Sequence, residues 1–311
     1  MRLGNPPNRN GEWSRYYRDR RLHDLDVLHA HFVEHRYARH SHDYFVIALV
    51  ETGAASYWYR GAQRVATAGQ VFVIHPDEPH TGEPVTPSGY VYRVLYPRVS
   101  YFAEVMADVG LAKREFFCNE SPLQDGTLAR LLASFHKHFA EKAPAAGCES
   151  LLLRALARLA TNHCNRQVSS RPIGRERPAI RTACDYIHAH FAEDVSLTRL
   201  ARLVDLSPYY FARAFEKETG LPPHAYLETV RIRKARQLLD LGHSVVCSAL
   251  SVGYVDQSHL THRFKRFLGM TPGQYARNSN IREDYSGTQS HREPVGTAWK
   301  EPRTPRLAFH H

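Results

Sequence analysis

Six residues in the C-terminal third recur at a constant interval of 49 positions, and this repeat constrains the fold more than any other feature of the chain. Phe211 matches Leu260, Phe215 matches Phe264, Lys217 matches Arg266, Gly220 matches Gly269, Pro223 matches Pro272 and Tyr226 matches Tyr275. Upstream the interval becomes 48, with Ala201 matching Ala249 and Leu206 matching Tyr254, so the second copy has a turn one residue longer.

Each copy has the grammar of a helix-turn-helix. Ser196 is placed to cap a first helix with Leu197, Leu200, Ala201 and Val204 inward. Asp205-Leu206-Ser207 forms a turn, and Ser207 caps a second helix with Pro208 at its first position, where a missing N–H costs nothing. Phe211, Ala214 and Phe215 make the buried stripe of that helix, and Gly220 closes it. The second copy runs from Ser244 to Val252, turns at Gly253-Tyr254 and restarts with Asp256 as cap, with Leu260, Phe264 and Phe267 inward. A long helix from Pro223 to Leu239 holds the copies apart, so two recognition helices enter successive major-groove segments on one DNA face. A helical bundle of no special function would not need caps, turns, aromatic stripes and closing glycines twice over.

Upstream the period changes to that of strands. Tyr44–Val50, Ala55–Tyr59, Gln70–Ile74 and Tyr90–Tyr96 are short, rich in β-branched and aromatic residues, and separated by Gly and Pro turns, which argues for an all-β barrel or sandwich. From Ser100 the helical period takes over. Leu128, Leu131, Leu132, Phe135 and Phe139 share a face, Leu151–Leu159 continues the pattern, and Pro144 with Gly147 breaks the two into a hairpin. One small barrel cannot cover both helices, so a stripe bearing Leu131, Phe135, Leu152 and Leu156 is expected on a dimer seam.

Pro178–Arg277, together with the barrel, resembles the AraC-type regulators. The motifs that carry the resemblance are Ser196–Ala201 with Phe211–Gly220, Arg231–Ala235, and Val252–Leu260 with Phe264–Pro272. In the barrel, His40-Ser41-His42 and Gly69–His80 are similar to that family's sugar-type sensor, a cupin barrel. The resemblance implies a sequence-specific, ligand-controlled transcription regulator, usually a homodimer, with double-stranded DNA and a small-molecule effector as partners and RNA polymerase as a further one. The fold class is then α+β in two domains: a cupin-like β-barrel with a helical hairpin, then an all-α double helix-turn-helix. The expected segments are a flexible basic N-terminus (1–21), a ligand-sensing barrel (22–100), a helical dimerisation segment (101–166), a linker (167–178), the DNA-binding domain (179–278) and a disordered tail (279–311). Two positions depart from the family: Ser248 stands where an apolar core residue is usual, and His262 where an arginine commonly reaches DNA.

The resemblance assigns base-edge reading to Tyr209, Arg213, Gln257, Ser258 and His262. Arg brackets guanine and Gln pairs with adenine, which suits those positions. Lys217, Lys265, Arg266 and Arg233 are expected on phosphates, which positions without specifying. In the barrel, His40, His42, Tyr44, Trp58, His80 and Tyr92 are expected to line the effector pocket. His40, His42 and His80 also match the ligands of metal cupins, and a metal-dependent cupin enzyme with a helical appendage is the competing function. Such enzymes add a Glu three to four residues after the second His, and here those positions are Phe45 and Val46. No catalytic residue, metal or cofactor is therefore assigned.

Charge agrees with a sensor joined to a polyanion binder: of the net +10, residues Leu22–Cys164 carry −2 and the remainder +12. Five scattered cysteines without a C-x-x-C pair favour reduced thiols, and the polar, Arg-rich start is not a secretory signal. No run of 18 apolar residues occurs, so the expected setting is the cytoplasm, away from the membrane.

Overall fold

The structure, a computed structural model, describes residues 11–111, 116–118, 120–141, 143–163 and 177–280. All but the ends of the expected linker and of the expected tail lie outside them. No helix among the described residues is long and apolar enough to cross a membrane.

Eight antiparallel strands form the N-terminal barrel: β1 (Trp13–Asp19), β2 (Leu25–Phe32), β3 (Tyr37–His40), β4 (Val46–Tyr59), β5 (Ala62–Thr67), β6 (Val71–Ile74), β7 (His80–Pro84) and β8 (Tyr90–Tyr96). Their order is β1-β2-β8-β4-β7-β3, with β5 and β6 also paired to β4. The long β4 serves both halves of the curled sheet. Its first part pairs with β6 and β8, its second with β5 and β7. The strand bends where the register slips between Val50 and Thr52, next to Gly53 at φ 73°. A Cβ at Gly53 would lie 2.2 Å from the Gly89 carbonyl oxygen, so only glycine fits there.

Part of the basic N-terminus expected to be flexible from 1–21 is instead a strand, β1. Trp13–Asp19 pair residue for residue with Leu25–His31 as an edge strand. Its arginines masked the alternation: Tyr16 is buried, and Arg18 is buried two residues on because Asp26 neutralises it at 2.6 Å.

The sheet is apolar on both faces, and this decides where the helices go. Leu28, Ala30, Val46, Ala48, Val50 and Val94 point inside, whereas Leu25, Val27, Ile47, Leu49, Val71, Val73 and Leu95 point out. The outer face is covered by α1 (Val99–Asp108), α2 (Gly126–Ala140) and α3 (Ala145–His163). Phe135, Leu152 and Leu156 are fully buried there, and Leu131 is packed against the same core. The dimer seam expected on that stripe is therefore corrected: the residues are spent within the chain, each worth about 1.5–3 kcal/mol of burial.

The C-terminal helices are α4 (Arg177–His190), α5 (Leu197–Leu203), α6 (Pro208–Thr219), α7 (Pro223–Asp240), α8 (Val245–Ser251), α9 (Gln257–Leu268) and α10 (Pro272–Asn280). The two copies of the repeat are α5–α6 and α8–α9. All four cap side chains act: Ser196, Ser207, Ser244 and Asp256 accept hydrogen bonds from the N–H groups of Arg199, Tyr210, Cys247 and His259. Gly220 and Gly269 close α6 and α9 at φ 73° and 72°. Leu197, expected inward, is 40% exposed because α5 is too short to bury more than Leu200 and Ala201.

The two copies differ in what they pack on. The first has a core of its own, built from Ile180, Ile187, Leu200, Phe211, Phe215 and Val230. The second shares one continuous core with the barrel interior, through Leu260, Phe264, Phe267 and Tyr275. Around that contact, Asp26 of β2 receives Arg18 and, at 2.7 Å, Arg236 of α7. Asp240 of α7 accepts both Arg18 at 2.5 Å and the Tyr275 hydroxyl at 2.8 Å.

Candidate DNA interface and effector pocket

On α6 the buried stripe of Phe211, Ala214 and Phe215 turns the opposite face outward, and Tyr209, Arg213 and Lys217 lie on it, all exposed. Tyr209 is 73% exposed, which is unusual for an aromatic side chain without a partner surface. Arg213 lies 5.8 Å from the Tyr209 ring centroid, so the ring steadies the guanidinium at the helix surface. On α9 the stripe of Leu260, Phe264 and Phe267 likewise leaves Gln257, Ser258, His262, Lys265 and Arg266 exposed. Both helices thus present one polar, cationic face, set by the same caps and separated by the 18 residues of α7, about 27 Å of helix.

Arg233 is not on that face. It pairs with Asp77 of the barrel at 2.7 Å and lies on Ser41, which corrects its assignment as a phosphate contact. Arg39 of β3 similarly holds Glu216 at 3.0 Å, and Pro79 abuts Gly220, so the C-terminal end of α6 also rests on the barrel. None of this was legible from spacing, because each contact joins residues more than 140 positions apart.

The barrel mouth brings five of the six expected pocket residues together. His40, His42, Tyr44, His80 and Tyr92 line one cavity with Tyr37, Tyr57 and Tyr96. Trp58 is not among them. Tyr57 and Tyr59 on either side of it point inside, so Trp58 points out and carries Arg39 over its ring at 4.2 Å. The alternation along β4 was the signal that would have exchanged Trp58 for Tyr57. Two further lining residues, Phe267 and Leu268, come from α9. The cavity measures about 60 Å³, well under the ~150 Å³ that holds a benzene ring.

The three histidines are buried and mutually close, with ring centroids 4.4 Å apart for His40 and His80 and 4.7 Å for His42 and His80. Burial pushes His80 down to about 4. Burial, and then repulsion from His80, hold His40 and His42 well below the usual imidazole range. Each Nδ1 meets a backbone carbonyl: Ala38 at 2.7 Å, Tyr44 at 2.7 Å and Glu78 at 3.0 Å. His75 plays another part, since its Nε2 accepts the Cys118 N–H at 3.1 Å.

A barrel with a small cavity lined mainly by aromatic and aliphatic side chains and three histidines, closed by one of two helix-turn-helix units, defines a ligand-binding transcription regulator. The comparisons agree with that class. The model of the AraC-like ligand binding domain matches residues 22–156, and that of a helix-turn-helix domain matches residues 200–278. The chain belongs to the AraC family of transcriptional regulators. It is 26% identical to the HTH-type transcriptional regulator YbfI of Bacillus subtilis, over 72% of this chain and 82% of that one. It is 25% identical to the HTH-type transcriptional activator RhaS of Pectobacterium carotovorum, over 80% of this chain and 90% of the relative. Among solved structures, ToxT of Vibrio cholerae matches 82% of this chain and 97% of its own at 10% identity and a TM-score of 0.46.

Proposed function

We propose that α6 and α9 enter successive major-groove segments of one DNA site, with Tyr209, Arg213, Gln257, Ser258 and His262 on base edges and Lys217, Lys265 and Arg266 on phosphates. The observation that carries this reading is the duplicated cap–stripe–glycine frame, which turns all eight side chains outward. The barrel acts as a sensor and not as a catalyst. Because Phe267 and Leu268 of α9 close its cavity, an effector larger than the present space must displace the second unit to enter. Occupancy of the barrel is thereby tied to the placement of a recognition helix. Acting on chromosomal DNA puts the protein in the cytoplasm. A homodimer, common among two-fold DNA readers, needs a seam other than the hairpin's buried stripe.

The test is binding of the full chain to selected sites across salt concentrations. Three phosphate contacts predict a slope of log K against log salt near −2.7 from these residues alone, and Lys265→Ala should lower it by about 0.9. Binding that ignores salt, or a slope unmoved by substituting any of the three, would reject the proposed face.

A further inference from the structure

Among the described residues, His40, His42 and His80 form the one group of three or more His, Cys, Asp or Glu placed to hold a metal ion, with ligand atoms within 4.8 Å of one another. Their tautomers are dictated by the backbone. A carbonyl only accepts, so each Nδ1 carries the proton it donates to Ala38, Tyr44 or Glu78, and each Nε2 presents a lone pair. Carbonyl-anchored imidazoles are how ligating histidines are oriented in metal sites. The His42 Nε2 is buried and has no hydrogen-bond partner. One water has two protons and cannot satisfy three converging acceptors, whereas a single cation satisfies all of them. The adjoining cavity of about 60 Å³ leaves room for a water or small anion at a fourth coordination position.

We propose that His40, His42 and His80 bind a divalent first-row transition-metal ion through their three Nε2 atoms at the barrel mouth. The all-imidazole set selects zinc, copper, nickel or iron over magnesium and calcium, which take oxygen. Tetrahedral bonds of about 2.1 Å place the nitrogens about 3.4 Å apart, so the rings close inward on the ion. The absent carboxylate leaves the site with two positive charges to neutralise, and an anionic oxygen donor from the cavity side supplies that. His40 packs on Phe267 at 5.4 Å between ring centroids, which puts the ion next to α9.

The experiment is titration of the chelator-stripped full chain with zinc chloride by calorimetry, and with cobalt(II) by absorption. It is done in a Cys247→Ser background, because the Cys247 sulfur lies 3.9 Å from His243 and offers a competing thiolate pair. One ion per chain is expected, with cobalt bands in the visible and no sulfur charge-transfer band. His42→Ala should weaken binding by more than the about 10–100-fold that loss of an outer-shell partner costs, while exposed His224→Ala changes nothing. If circular dichroism shows His42→Ala unfolded, His80→Asn takes its place. No stoichiometric ion, a thiolate spectrum, or affinity unchanged in the folded ligand variants would overturn the site. None of these readings depends on DNA, so the regulator reading stands or falls separately.

Discussion

Arg213 and His262 occupy equivalent places in the two copies, both exposed on the outward face of their helices. A guanidinium has a fork that brackets guanine and keeps its charge; a neutral imidazole offers one donor and one acceptor. Arg213→Ala should cost about 1–3 kcal/mol on the specific site, and His262→Ala less, in binding isotherms at fixed salt. Equal losses would show that the two units share base reading evenly. Ser248 shows the other side of a departure from the family pattern. It is 0% exposed and its hydroxyl has no partner, so the core of the second unit carries an unsatisfied polar group. Removing such a hydroxyl recovers its desolvation penalty, and Ser248→Ala should raise unfolding free energy by about 1 kcal/mol. A decrease in chemical denaturation would mean the hydroxyl is satisfied.

At the scale of elements, the start of α2 is fixed by the carboxylate of its cap, Asp125. Asp125 caps it by accepting the N–H groups of Thr127 and Leu128, and also binds Arg158 of α3 at 2.8 Å and His163 at 2.8 Å. Burial alone would raise this carboxyl, but the hydrogen bonds from Arg158, His163 and Leu128 outweigh it and hold the group well below the usual range. The folded state thus gains from an ionised Asp125 above the unfolded value of ~3.9, and loses that gain as pH falls through the folded one. Asp125→Ala should cost about 0.5–2 kcal/mol for the cap alone, and should flatten the fall in stability below pH ~4. An unchanged acid transition by circular dichroism would remove Asp125 from that role. The caps of α5, α6, α8 and α9 were all readable in sequence because each spans only three residues. The covering of the sheet by α1–α3 was not, because an outward apolar face and a dimer seam leave the same pattern.

For the whole molecule, the union of barrel and second unit rests on one buried charge cluster beside an apolar contact. Asp26 sits between Arg18 and Arg236 with little access to water, so truncating it takes the carboxylate from a buried Arg236 and leaves Arg18 with Asp240 alone. Asp26→Ala should destabilise the full chain by about 3–5 kcal/mol, as loss of one partner in a buried pair does. A loss under about 1 kcal/mol in urea denaturation would place the cluster with ordinary surface pairs. The same union limits a fragment starting at Pro178: its first unit keeps its own core, while its second exposes Phe267 and Tyr275, which the barrel now covers.

The sequence by itself determined the repeat, the four caps, the two closing glycines, the outward faces of α6 and α9, and the segments that make up β4, β6 and β8. All of these follow from interactions within a few residues, where spacing and side-chain chemistry suffice. Tertiary structure alone decided that Trp13–Asp19 is an edge strand and that Trp58 leaves the pocket to Tyr57. It likewise decided that Arg233 belongs to Asp77, and that Phe267 closes a cavity built almost 200 residues earlier in the chain. The physical reason is common to these cases. Burial and ion pairing depend on which surfaces meet, and a one-dimensional pattern shows that a face is apolar or charged without showing what covers it.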